Sequence, residues 1–209
     1  MKSAKDANGV VTDFEYSPRG WLTAKKVRGT NGASEADDRI SRIEYLDNGL
    51  VHKITQPDGV FVQFSYDGAH RLIKMVDVEG NAIDYTLNGA GNRVKEEISG
   101  AGNILRRTLA SAYNTLGQLE STRDYRAQTV VNAPATMSYL YDPEGNPNTA
   151  TDALGRRTEN QYDPLGRLKR SLQNATAVAG APDRAETGFE YDALDRLTKV
   201  TDPNGLPTS

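Results

Sequence analysis

The stretch that decides the fold of this chain is the heptapeptide Tyr162-Asp163-Pro164-Leu165-Gly166-Arg167-Leu168. Related heptapeptides occur at residues 66–72 and 191–197, and both keep the Tyr-Asp start and the Arg-Leu end. A motif that returns every ~20–50 residues is the signature of a repeat architecture. The sequence therefore predicts a repeat array, which is typical of a scaffold rather than of an enzyme.

Related positions along the chain give eight repeat anchors, seven of which are tyrosines. The anchors are Tyr16, Tyr45, Tyr66, Leu87, Tyr113, Tyr141, Tyr162 and Tyr191. Their spacings are 29, 21, 21, 26, 28, 21 and 29 residues, so the basic repeat is 21 residues long. We assign the excess to insertions at residues 28–38, 126–138 and 173–187, whose small, polar and turn-forming residues predict loops. We expect a single array of about eight repeats over residues 1–209.

Each anchor is expected to close a β-strand. The residue two positions earlier shares its face of the strand, and six of these eight residues are large and apolar or aromatic. The eight residues are Phe14, Ile43, Phe64, Tyr85, Ser111, Tyr139, Asn160 and Phe189, of which Ser111 and Asn160 are the exceptions. An alternative for residues 34–43 is a short helix.

A turn is expected after each anchor. Asp142-Pro143-Glu144-Gly145 has Asp at the first position, Pro to preset φ at the second and Gly at the fourth, which favours a type I turn. The candidate turn residues are Gly20, Gly49, Gly91, Gly117, Gly145, Gly166, Asp142, Asp163 and Asp192. The next strand is expected to open with an Arg-Leu pair or its equivalent, as at Arg71-Leu72, Arg93-Val94 and Arg167-Leu168.

A second turn follows in most repeats, as at Gln56-Pro57-Asp58-Gly59 and Asp152-Ala153-Leu154-Gly155. Each repeat is then one β-hairpin, and the fold class is all-β: an array of antiparallel β-hairpin repeats. The hydrophobic share of 37% lies below the usual ~45–50% of globular domains. This suits a sheet with one face in water, or a sheet rolled around a wet interior, better than a filled sandwich.

Composition excludes several function classes. The net charge of −3 arises from interspersed charges without a basic stripe, so we expect no nucleic-acid partner. No apolar run approaches the ~18 residues of a membrane span, and the segment Met1–Asp6 has no signal-peptide character. The absence of cysteine removes disulfides and thiolate metal sites.

No residue is assigned a catalytic, cofactor-binding or metal-binding role. The chain has two histidines, of which His70 occupies the Gly position of a repeat turn and His52 lies on a predicted strand. Asp67, Asp142, Asp163 and Asp192 follow their anchors as a set, so we interpret them as turn caps rather than as a glycosidase pair. Aromatic rows beside Arg and Lys leave sugar binding open, although cross-strand packing explains them as well.

The segment Tyr139-Leu140-Tyr141-Asp142-Pro143-Glu144-Gly145 and the opening heptapeptide resemble the YD repeats of the Rhs (rearrangement hotspot) family. The resemblance covers the chain from about Phe14 to Gly205. It implies a curved or spiralling β-sheet that forms part of a hollow shell, as in Rhs toxins, Tc toxin B and C components and teneurins. The family's self-cleavage site lies beyond its repeats. No catalytic residue is carried over, although Asp202-Pro203-Asn204-Gly205-Leu206 is similar to part of that site.

The resemblance implies a structural segment of a larger, bacterial, secreted or cell-surface protein whose shell encloses a C-terminal toxic domain. The expected partners are neighbouring repeats and the enclosed domain. The alternative is a carbohydrate- or receptor-binding adhesion module, with glycans as partners. Because the array has no polar caps, self-association through exposed edge strands is also expected.

Overall fold

The structure, a computed structural model, describes residues 2–29, 37–126, 134–174 and 184–208 of the chain. Within these ranges every regular element is a β-strand, except for a 3-10 turn at Ala101–Asn103. The all-β prediction is therefore confirmed. The chain divides into two compact units, one ending at Arg107 and one beginning at Thr108. The first four anchors lie in unit 1 and the last four in unit 2.

Unit 1 is an antiparallel meander in which each strand pairs with the next one in the sequence. Its strands are β1 (Lys2–Lys5), β2 (Val11–Tyr16), β3 (Leu22–Val27), β4 (Arg39–Tyr45), β5 (Val51–Thr55), β6 (Phe61–Tyr66), β7 (Leu72–Asp77), β8 (Ala82–Leu87) and β9 (Arg93–Gly100). The strand β10 (Ile104–Tyr113) contains the boundary between the units.

Unit 2 repeats this pattern, with sequential antiparallel pairs from β11 to β18. Its strands are β11 (Leu119–Arg126), β12 (Ala135–Tyr141), β13 (Pro147–Thr151), β14 (Arg157–Tyr162), β15 (Leu168–Gln173), β16 (Ala185–Tyr191), β17 (Leu197–Thr201) and β18 (Pro207–Thr208). In both units the anchors close alternate strands, so all anchor turns of a unit lie on one rim of its sheet. We call this rim the anchor rim.

The two faces of the sheet differ in polarity. Residues directly opposite in adjacent strands share a face, and Phe64, Met75, Ile83 and Ile98 form one such row across β6 to β9. These side chains are half-buried and lie on the face of the anchors, which we call the tyrosine face. The opposite face, the polar face, carries rows such as Lys74, Asp84 and Glu97. The expected alternation of apolar and polar faces is confirmed in unit 1.

In unit 2 the tyrosine face is more polar. The row across β14 to β16 consists of Asn160, Ser171 and Thr187. Among the described residues of the chain, the buried apolar side chains are only Ala24, Ala82 and Leu172. Since so few apolar groups are enclosed, each strand is held mainly by its two neighbours in the sheet.

A buried ionic cluster on the polar face of unit 1 was not expected from the sequence. Asp13 is 2% exposed and accepts hydrogen bonds from Ser3 Oγ at 2.5 Å and from Arg28 Nε at 2.5 Å. Both bonds lower the pKa of the Asp13 carboxyl, the bond from Ser3 having the larger effect, and together they outweigh its desolvation. Lys26 Nζ lies 3.0 Å from Asp38 Oδ2 beside them. Charges that the sequence suggests are solvated therefore connect β1, β2 and β3 with Asp38, the residue that precedes β4.

Three sequence expectations need correction. Residues 39–43 are strand and not helix, because they pair with β3 and β5; residues 34–36 lie outside the described residues. The predicted loops at 126–138 and 173–187 are shorter than expected. Residues 135–138 pair with β11 and residues 185–187 with β15, whereas residues 127–133 and 175–183 lie outside the described ranges.

The third correction concerns the Arg-Leu equivalence. Leu87 pairs with Arg93 just as Tyr66 pairs with Leu72, so the counterpart of Arg71 is Asn92. The proposed match of Arg93-Val94 to Arg71-Leu72 is wrong by one position. Arg93 instead stacks its guanidinium 3.7 Å from the centroid of the Tyr85 ring.

Glycine should be the most stable residue at the fourth position of an anchor turn, because φ is positive there. Gly20 has φ of +83° with open space around a Cβ, so Gly20→Ala should cost ~1–2 kcal/mol of unfolding free energy through backbone strain alone. Gly68 is equally open but lacks a positive φ, so Gly68→Ala should stay within ~0.5 kcal/mol of the parent. Urea unfolding of both variants checks this, and equal losses would contradict it.

Candidate functional site

The candidate site is the set of anchor turns on the anchor rim. At residues 142–146, the Gly145 N–H donates to the Asp142 carbonyl at 3.0 Å and the Asp142 N–H donates to the Asn146 carbonyl at 3.0 Å. The same pair of bonds closes all eight anchor turns. The first residues of these turns are Ser17, Leu46, Asp67, Asn88, Asn114, Asp142, Asp163 and Asp192. Repetition of one backbone geometry explains why a single motif recurs in the sequence.

The Asp side chain at the first position clamps its own turn. Asp163 Oδ1 accepts from the backbone N–H groups of Leu165 and Arg167, each at 3.0 Å. Asp163 Oδ2 accepts from Arg167 Nε at 2.7 Å. Asn88 and Asn114 accept the corresponding pair of backbone bonds through their amide oxygens. Asx at this position therefore acts as a turn cap, as the sequence suggests.

These bonds favour the ionised carboxylates and lower their pKa values. The Asp142 pKa is lowered chiefly by the side chain of Asn146, and the Asp152 pKa chiefly by that of Arg156. At Asp163 desolvation is the largest effect and opposes the change, but the bonds from Arg167 outweigh it. The carboxyls with lowered pKa are Asp67, Asp142, Asp163 and Asp192 in anchor turns, and Asp77 and Asp152 in the second turns of their repeats.

The anchor tyrosines join successive repeats through their hydroxyl groups. Tyr66 Oη donates to the Val51 carbonyl at 2.8 Å, and Tyr141 Oη donates to the Leu119 carbonyl at 2.9 Å. Tyr45, Tyr162 and Tyr191 make the equivalent bonds to Leu22, Pro147 and Leu168 at 2.9, 3.1 and 3.0 Å. In all five pairs the acceptor lies six residues after the preceding anchor. The tyrosine therefore fixes each hairpin on the one before it.

The residue that follows the fourth turn position forms a second link, and we call it the bridge residue. In the first turn it is Trp21, whose ring lies 5.3 Å from that of Tyr45 and against Gly49. Gln118 Nε2 donates to the Gly145 carbonyl at 3.4 Å. Arg71 Nη1 donates to the Asn88 carbonyl at 3.1 Å. In each case the bridge residue of one anchor turn contacts the next anchor turn.

Comparison with known proteins identifies this pattern. The model of the family described as RHS Repeat matches residues 45–82 and 162–207. Both matched segments are therefore RHS repeats. The matched segments include the hydroxyl-bonded anchors Tyr45, Tyr66, Tyr162 and Tyr191.

Solved structures share the YD-repeat fold. The chain is similar to the crystal structure of TcdB2-TccC3-Cdc42, with a TM-score of 0.70, 17% identity and coverage of 92% of this chain and 11% of that one. TcdB2-TccC3 matches with a TM-score of 0.69, 16% identity and coverage of 93% and 12%. A variant of the Tc holotoxin pore of Photorhabdus luminescens matches with a TM-score of 0.58, 14% identity and coverage of 96% of this chain and 12% of that one. The chain thus spans about a tenth of those chains, and a search of the curated proteins found no match.

The sequence-predicted turn residues occupy the turns. Gly20, Gly49, Gly91, Gly117, Gly145 and Gly166 all have positive φ values, between 75° and 91°. Asp142, Asp163 and Asp192 are the first residues of their turns. His70, with φ of +64°, takes the place of the Gly in its turn, and His52 lies on β5 with Nε2 3.3 Å from Gln63 Nε2. The bridge contacts were missed, although the residue type after each turn Gly was a usable signal.

Other site types find little support in the described part of the chain. Within residues 2–29, 37–126, 134–174 and 184–208, no three His, Cys, Asp or Glu side chains lie together as metal ligands. The search of these residues for membrane spans returned no helix of the necessary length and apolar character. The assignment of no catalytic or cofactor residue stays a prediction.

Leu87 offers a test of the hydroxyl link. It takes the place of a tyrosine, and the carbonyl six residues after the preceding anchor is that of Leu72. Leu87→Tyr should gain a hydrogen bond and raise the unfolding free energy by ~0.5–1.5 kcal/mol over Leu87→Phe, which adds the ring alone. Urea denaturation measures the difference, and equal stability of the two variants would contradict the role of the hydroxyl.

The turn carboxylates predict the acid sensitivity of the fold. Their folded pKa values lie below the unfolded ones, so their stabilisation is complete above the unfolded pKa of ~3.9 and is lost as pH falls through the folded values. Asp152→Asn keeps an amide oxygen for the turn, as Asn88 does, but cannot titrate. Unfolding free energies measured from pH 7 to 2 should therefore fall less steeply for this variant than for the parent, and parallel curves would argue against it.

Proposed function

We propose that this chain is a structural segment of an Rhs-type shell that encloses a C-terminal toxic domain of its parent protein. The observation that carries the proposal is the lateral joining of successive hairpins by ladder bonds, hydroxyl bonds and bridge residues, with almost no enclosed core among the described residues. A sheet built this way extends by adding repeats and separates two spaces. We propose that the parent is a secreted bacterial protein and that the segment has no catalytic role.

The tyrosine face is the better candidate for the inner surface of the shell. In unit 1 it carries a cavity of about 270 Å³ whose lining includes Val62, Met75, Ile83 and Ile98. Exposed apolar surface of this kind favours aggregation when it faces water and favours contact with an incompletely folded chain when it is enclosed. The charged rows of the polar face suit the outer, solvated surface.

The contacts with a passenger are expected to be broad and unspecific. The tyrosine face changes from apolar side chains in unit 1 to Asn, Ser and Thr in unit 2. A mildly apolar surface without a deep pocket holds a polypeptide without selecting its sequence. This agrees with a role in which one shell type accepts different passengers.

A glycan-binding adhesion module is the second candidate function. Five of the anchor tyrosines donate their hydroxyl protons to backbone carbonyls, so these protons are not available to bind a sugar. The scaffold function therefore accounts for more of the aromatic set. Glycan binding and self-association through exposed edge strands remain predictions.

Site-specific photo-crosslinking in the full-length parent tests the enclosure. A benzoylphenylalanine at Met75 lies on the tyrosine face, and one at the adjacent Lys74 lies on the polar face. Position 75 should crosslink to the C-terminal domain of the parent and position 74 should not. Crosslinks from position 74 alone, or glycan-array binding abolished by Tyr or Arg substitutions, would contradict the proposal.

A further inference from the structure

The bridge residue of the turn at 163–167 shows what an arginine does at this position. Arg167 Nε and Nη2 lie 2.7 Å from Asp163 Oδ2 in its own turn. Its Nη1 donates to the Asp192 carbonyl at 3.2 Å and to Asp195 Oδ1 at 2.8 Å. The guanidinium also lies 4.8 Å from the centroid of the Tyr191 ring. One guanidinium is thus held by a carboxylate, the next anchor ring and the next turn.

The preceding junction has the same surroundings but a short neutral bridge residue. Asn146 takes the position of Arg167, and its Nδ2 donates to Asp142 Oδ2 at 3.0 Å. The Asn146 side chain reaches only as far as Gly166: its Oδ1 lies 3.7 Å from the point where a Cβ of residue 166 would be. The Asp142 carboxylate is therefore left without the cationic partner that Asp163 has.

An open cleft lies where the guanidinium would be. It has a volume of about 620 Å³ and is lined by Asp142, Glu144, Asn146, Tyr162, Asp163, Pro164 and Gly166. The carboxylate of the first turn, the ring of the next anchor and the first residue of the next turn all line it. They correspond to three of the four groups that hold Arg167, whereas the fourth, the Asp195 carboxylate, has Gly166 as its counterpart here. The exposed Glu144 adds a further negative charge.

We propose that this cleft binds an arginine side chain of a partner polypeptide, which supplies in trans the guanidinium that Asn146 does not provide. Arginine fits better than lysine because its planar fork reaches a carboxylate and a carbonyl together and stacks on an aromatic ring. A compact ammonium makes only one of these contacts at a time. The proposal does not depend on whether the sheet encloses a toxic domain.

The proposal is tested by NMR titration of the full chain with N-acetyl-arginine methylamide and, separately, with N-acetyl-lysine methylamide. The arginine probe should shift the amide signals of Gly145 and Gly166 and the Tyr162 ring signals, with the lysine probe binding clearly more weakly. Glu144→Gln should weaken arginine binding roughly two- to five-fold, as expected for a partly exposed charge.

A filled-cleft variant provides the decisive control. Asn146→Arg should occupy the cleft from within, abolish the probe-induced shifts and raise the unfolding midpoint, whereas Asn204→Arg adds the same charge at an exposed turn and should leave binding unchanged. Equal binding of both probes, unchanged binding in Asn146→Arg, or shifts caused instead by a neutral disaccharide would each overturn the proposal. If Asn146→Arg fails to fold, the probe comparison and Glu144→Gln decide.

Discussion

The hydrogen bond from an anchor tyrosine hydroxyl to a carbonyl of the preceding repeat is the interaction on which the described structure most depends. A sheet with a second layer draws stability from packing between the layers, but few side chains here are fully buried. Each hairpin must therefore be fixed by its neighbour. The backbone ladder supplies most of the bonds, and the hydroxyl sets the register between repeats, since a slip of one residue would turn every side chain to the other face.

The turns make this link repeatable. Positive φ at the fourth turn position gives the anchor turns the same bend, and an Asx clamp at the first position supports six of the eight. Five of the anchor tyrosines can therefore meet equivalent carbonyls. The bridge residue then varies among Trp21, Arg71, Gln118, Asn146 and Arg167 without disturbing the geometry. The turn backbone is thus constant, whereas the bridge side chain differs between repeats. A difference at this position can create a binding site in one repeat without changing the fold.

Much of this fold was predictable from the sequence. Positions such as Asp163-Pro164-Leu165-Gly166 carry their conformation locally, because Asp, Pro and Gly each favour one part of the turn. The period of the anchors then placed the strands, and the alternation around Phe64 and Tyr66 identified the tyrosine face. Turn type, anchor spacing and strand alternation each depend on residues close together in the chain, so they can be predicted from one sequence.

Features that depend on contacts across repeats were not predictable. The register of Arg93 differs from that of Arg71 because strand pairing, and not the local Arg, defines equivalence. The burial of Asp13 and Lys26 requires residues from separate strands, and the cleft beside Asn146 appears only when two turns are adjacent. In each case sequence spacing alone does not say which side chains meet.

The most direct test of this account is the unfolding free energy of Tyr66→Phe compared with that of Tyr125→Phe. Tyr66 donates its hydroxyl to the preceding repeat, whereas Tyr125 is a 42% exposed tyrosine outside the anchor set. The account predicts a loss of ~1 kcal/mol for Tyr66→Phe and almost none for Tyr125→Phe. Equal effects of the two substitutions would contradict the claim that the anchor hydroxyls hold successive repeats in register.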